Sequence, residues 1–156
     1  MVEWSPIVSG IGVALVVIVL GLTIPLPEAV WPVAIGVVLA TGFGCGYVAG
    51  RRSSGRWRAR TRAGSLTGAL GGAVLATVLW ASMSRAVPRA EDSTFWAIND
   101  VIAANTIGIE WFPWLYTENT LFGPLLVFVV CLFAVEGWIA GGVTSGTLDR
   151  SPTRSR

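Results

Sequence analysis

The stretch TGFGCGYVAGRRSSGRWRARTRAGSLTGALGG, Thr41 to Gly72, decides how this chain is built. A glycine-rich apolar segment runs into six arginines and then into a second glycine-rich apolar segment. Two hydrophobic segments flanking a short basic connection make a transmembrane hairpin that turns at the cytoplasmic face. Outward from it, four stretches approach the roughly 20 residues that cross about 30 Å of hydrocarbon. They are residues 7–24, ending at Pro25 and Pro27; residues 30–50, with Pro32 in the first turn; residues 64–82; and residues 121–143, which hold one charge, Glu136. Backbone groups in lipid must be satisfied within the segment, and these runs are long for barrel strands, so they read as helices. The expected fold is an all-α membrane protein of four transmembrane helices in a single domain.

Composition supports this and removes whole classes of function. Hydrophobic residues make up 53% of the 156 positions and charged residues 13%, with a mean hydropathy of +0.67. A soluble domain carries about 25% charged residues, so disorder and nucleic-acid binding are excluded as the main theme. The chain has no His, and all eleven basic residues are Arg. Imidazole metal sites, Ser-His-Asp triads and lysine Schiff bases therefore cannot be built. The reading is a non-enzyme with no cofactor and no metal.

Charge gives the expected orientation. Arg51, Arg52, Arg56, Arg58, Arg60 and Arg62 lie in the connection 51–63, and Arg150, Arg154 and Arg156 follow the fourth span, against Arg85 and Arg89 between the third and fourth. Most acidic residues take the opposite side, so a net +2 conceals about +7 on one side and about −4 on the other. The expectation is a multi-pass protein of the cytoplasmic membrane with both termini inside and a disordered tail, residues 144–156. The first span lacks a basic flank and a small-residue cleavage pattern, so it reads as a retained helix, not a signal peptide.

Glycines repeat every four residues: Gly42, Gly46 and Gly50 in the second span, Gly64, Gly68 and Gly72 in the third, and Gly137 and Gly141, followed by Ser145, in the fourth. Residues four apart share a helix face, and stripes of small residues let membrane helices approach closely. The main expectation is packing of one four-helix bundle through these stripes, with self-association through an exposed stripe as the alternative. GYVAGRRSSG (Gly46 to Gly55) also aligns with GWIAGGVTSG (Gly137 to Gly146), with five identities, as parallel repeats would; low-complexity sequence gives such matches by chance equally well.

Residues 83–120 form the expected outer loop. Within it Asp92 or Ser93 can cap a helix over about 94–105, with Phe95, Ile98, Val101 and Ile102 at helical spacing. The expectation is an amphipathic helix lying on the bilayer, followed by the aromatic run EWFPWLY, Glu110 to Tyr116, re-entering through the headgroups. A docking surface for a partner, or a lid, is the alternative.

Glu136 is the sharpest candidate for chemistry, because an intramembrane carboxylate costs about 2.5 kcal/mol or more when charged and needs a partner. Arg51 or Arg52 could reach it, or a protonated form could hydrogen-bond a neighbouring helix. A helix-locking contact is the main reading, and a proton or cation site is the alternative. The arginine cluster serves topology first and contact with anionic lipid headgroups second; nucleic acid is not an expected partner. Cys45 and Cys131 are offset by roughly 9 Å along the membrane normal, too far for a disulfide, and read as packing residues.

The segment TIPLP (Thr23 to Pro27), GYVAGRRSSG, and AGSLTGALGG (Ala63 to Gly72) resemble a family of small four-helix membrane proteins of unknown function from halophilic archaea. The resemblance covers roughly residues 7–82, with a fainter echo in GWIAGG (Gly137 to Gly142). It implies the same helical membrane architecture and transfers no functional residue, and the long aromatic outer loop departs from it. The expected function is that of a structural or accessory membrane protein. Its expected partners are the bilayer, anionic headgroups, and either a second copy or another membrane protein. The alternative is a small proton- or cation-coupled transporter or channel using Glu136.

Overall fold

A computed structural model describes residues 4–54, 56–104 and 118–148. The described residues form six α-helices: α1 (Trp4–Thr23), α2 (Trp31–Leu39), α3 (Thr41–Arg52), α4 (Trp57–Met83), α5 (Thr94–Ala104) and α6 (Glu118–Leu148). A single 3-10 turn, Glu28–Val30, leads into α2. Four segments are long and apolar enough to cross a membrane: Trp4–Thr23, Glu28–Arg52 (α2 and α3 together), Trp57–Met83 and Gly123–Thr144. The protein thus has the character of a multi-pass membrane protein, as its composition predicts.

The distribution of side chains is that of a bundle surrounded by lipid. In α1 the buried residues Ile7, Gly10, Ala14, Ile18 and Gly21 recur at three and four residues, so they share one face. The other face shows Val8 at 66% exposed and Val16 at 58%, and α6 likewise exposes Val127 at 63% and Phe128 at 58%. Such continuous apolar surface is foreign to a soluble monomer. Inside lie small and hydroxylated residues, among them Ala14, Cys45, Ala49, Thr67, Ala76 and Thr144.

The second span is not one helix. Hydropathy is continuous there, but the structure interrupts the helix at Ala40 (φ −86°, ψ 3°). The Phe43 amide bonds back only three residues, to Ala40 O at 3.1 Å, and the Thr41 hydroxyl donates to Val37 O at 3.0 Å. A threonine bonding its own preceding turn, followed by a glycine, is a recognised cause of helix bending. The break separates two environments: α3 packs on α1, α4 and α6, whereas α2 meets chiefly α5 and the turn before it.

Two features differ from the sequence expectation. The arginine-rich connection, placed at 51–63, is far shorter: α3 continues through Arg52 and α4 begins at Trp57. Arginine is a good helix former, so Arg58, Arg60 and Arg62 extend α4 although they end the apolar run. The amphipathic face of α5 was expected to rest on lipid, but Phe95 is fully buried, with its ring against Gly21 of α1. Ile98 packs on the same core, and Val101, at 45% exposed, faces away. The segment before α5 is tied to the end of α1 by Leu26 N–H to Asp92 O (2.9 Å) and Ala90 N–H to Leu22 O (2.8 Å). Ser93 Oγ then accepts from Trp96 N–H at 3.3 Å, capping α5. The run Glu110 to Tyr116 and the tail beyond Leu148 lie outside the described residues.

Candidate functional site

The site candidates converge on α6, which packs most extensively on α4 and then on α3. At Gly46 of α3 a Cβ would meet the Cα and carbonyl group of Gly137, with the carbonyl carbon at 2.8 Å. At Gly64 and Gly68 of α4 it would run into the carbonyl oxygens of Gly137 and Phe133, and at Gly72 it would lie 2.9 Å from Val129 O. At Gly50 it would lie 2.7 Å from Thr144 Oγ1 and 2.9 Å from Gly141 Cα, and at Gly141 it would strike the Arg60 carbonyl oxygen. Ordinary contact begins near 3.4 Å, so backbone stands where side chains would be. The spacing rule did not single out Gly10, where a Cβ would lie 2.6 Å from Cys45 O, or Gly71, where it would lie 3.2 Å from Cys45 Sγ. Gly10, Ala14 and Gly21 share the face on which α1 packs; a search for small residues, not glycines alone, would have found it.

Glu136 sits in this interface. It is 7% exposed, roughly 12 Å from Thr144 along the helix axis. Its carboxylate lies against the first turn of α3: a Cβ on Gly42 would stand 2.5 Å from Oε2 and 2.7 Å from Phe133 Cα. Among the described residues Oε2 is buried and takes no hydrogen bond, and the nearby Phe43 N–H turns back to Ala40 O at 3.1 Å. The expected arginine partners are elsewhere. Arg52 Nη1 donates to Ser9 Oγ at 2.6 Å, and the Arg51 guanidinium lies 5.8 Å from the centre of the Tyr47 ring. Both are carried by α3 past Glu136 towards its C-terminal end, where the solvated choice costs less than burial.

Buried hydroxyls elsewhere in the bundle bond within their own helices. Thr61 donates to Trp57 O at 3.1 Å, Thr67 to Ala63 O at 2.7 Å, Ser82 to Leu79 O at 2.7 Å, and Thr144 to Gly141 O at 2.7 Å. Cys45 is buried and Cys131 exposed, and both are free thiols. Among the described residues no three His, Cys, Asp or Glu side chains gather as metal ligands.

The arginine end of the bundle divides by role. Arg60 turns inward, Nη1 donating to Thr144 O at 3.1 Å, and so ties α4 to α6. Arg56, Arg58 and Arg62 are exposed, beside an edge-on pair of Trp57 and Trp138 with centroids 6.3 Å apart. Among the described residues apolar grooves open on the flanks. One of 290 Å³ runs along α1 and α2 past Val17, Leu20, Val33 and Val37, and one of 170 Å³ lies under α5 past Leu75, Ile98 and Leu125. Comparison with family models, with curated proteins and with solved structures finds no match to this chain.

Proposed function

We propose that this chain is a non-enzymatic structural or accessory protein of the cytoplasmic membrane, both termini inside, packed through its glycine stripes. One observation carries the reading: α3, α4 and α6 meet backbone to backbone at Gly46, Gly64, Gly68 and Gly137. Close backbone approach is how helices gain contact in lipid, where no hydrophobic force separates them from the surrounding chains. A bundle closed this tightly is suited to hold a shape, and the two grooves on its flanks are lined by apolar side chains with Thr94 as the exception.

The same proposal includes anionic headgroups on Arg56, Arg58 and Arg62, each exposed arginine near the surface contributing about 1 kcal/mol. It includes self-association or a membrane-protein partner, and it includes membership of the halophilic archaeal family, which rests on the three motifs alone. The test is proton and cation flux in sealed liposomes. The reading expects none above empty liposomes across imposed gradients; flux that Glu136→Gln abolishes would replace it with the transporter.

A further inference from the structure

A buried carboxylate at a break in a neighbouring span is the feature that packing alone does not explain. Packing needs small residues at the α3–α6 contact, and Gly42, Gly46 and Gly137 supply them; it does not need Glu136, which is charged when ionised and 7% exposed. The break at Ala40 makes residues 41–43 the first turn of α3, and first-turn N–H groups carry the positive end of the helix dipole. Broken membrane helices elsewhere aim such half-helix N-termini at anionic groups near the bilayer interior. Here the Glu136 carboxylate lies against the first turn of α3, with Oε2 2.5 Å from where a Cβ on Gly42 would be, so glycine is the residue that fits. Among the described residues Oε2 is buried and without a hydrogen bond, whereas the buried hydroxyls of Thr61, Thr67 and Thr144 bond within their own helices.

We propose that Glu136 and the first turn of α3 form a proton-binding site inside the bundle, with the proton carried on Oε2. In the ionised state the positive end of the α3 dipole, with the Gly42 backbone against the carboxylate, favours the charge. Uptake of a proton from hydronium forms an O–H bond on Oε2, releases water, and removes the charge that the first turn of α3 faces. The site therefore links protonation to the fit between α6 and the broken span. Its surroundings leave Glu136 to titrate with little company. Arg51 and Arg52 on α3 point to Tyr47 and Ser9; α4 offers Gly64 and Gly68 here, neither titratable; on α6 itself Cys131 is exposed, away from the interface. Cys45, one turn along α3 and buried, is the other titratable side chain on this part of α3. The site binds a proton whether or not the protein moves one across the membrane.

The test is amide hydrogen exchange at Gly42 in the full chain in lipid nanodiscs, normalised to the intrinsic exchange rate at each pH. Protection in the native protein should change at least fivefold between about pH 4 and pH 9, and protection in Glu136→Gln should stay flat. Identical profiles in the two proteins would overturn the proposal. Should the Gln variant fail to fold, infrared spectra of the native chain decide alone. A buried protonated-carboxyl band that grows as pH falls supports the site, and its absence over the same range overturns it.

Discussion

Replacing glycine by alanine should change sign along this chain, depending on what the new methyl group meets. In a helix interior, alanine is favoured over glycine by up to about 1 kcal/mol. At Gly12 of α1 and Gly36 of α2 a Cβ finds nothing within 4 Å, so Gly12→Ala and Gly36→Ala should hold or raise stability. At Gly46 the methyl would lie 2.8 Å from the carbonyl carbon of Gly137 and closer still to its Cα, and at Gly68 it would overlap the Phe133 carbonyl. Those neighbours are backbone and cannot rotate aside, so the helices must separate. Overpacking of this kind costs about 1–3 kcal/mol, and separation also gives up the contacts above and below. Gly46→Ala and Gly68→Ala should therefore fall about 2 kcal/mol or more below the outward-facing pair. Titration with a denaturing detergent in mixed micelles, followed by the fluorescence of the eight tryptophans, reads the difference. Gly46→Ala and Gly68→Ala as stable as Gly12→Ala would refute the backbone contact.

Two further outcomes follow from other parts of the bundle. Phe95→Ala should cost about 3 kcal/mol or more, because the ring is fully buried against Gly21 and anchors α5 to α1; limited proteolysis should then cut near α5 at protease levels the native chain resists. Exchange of Arg56, Arg58 and Arg62 together for Gln should lower the retention of anionic over zwitterionic lipid in detergent extracts, and added salt should narrow the gap between native and variant; equal retention at low salt would remove lipid contact from the role of these arginines.

The four spans are legible in the sequence because hydropathy and length are properties of each segment alone. Hydropathy could not show that the second span breaks at Ala40, since Val37, Val38, Leu39 and Ala40 are all apolar; the signal was the Thr41–Gly42 pair. Nor could it show α4 starting at Trp57, because a run that ends at charge is not a helix that ends there. The site divides in the same way. Glu136 stands out in the sequence as the one charge in its span, but Gly42 comes from α3, some ninety residues away in the chain, and no local pattern names it as the neighbour of the carboxylate. The destination of Arg52 and the burial of Phe95 were likewise hidden, since each depends on α1, a separate helix.

The contact of α3 with α4 offers the most direct measurement. Cys45 is completely buried, and a Cβ at Gly71 would lie 3.2 Å from its sulfur, within reach of disulfide geometry. In membranes carrying Gly71→Cys with Cys131→Ser, mild oxidation should join position 71 to Cys45 within one chain, read as loss of two alkylatable thiols. The same oxidation of Gly12→Cys with Cys131→Ser should leave both thiols free within a chain. Cross-linking at 71 and not at 12 is what the packed bundle predicts; failure at 71 with the thiols accessible to alkylation would contradict it.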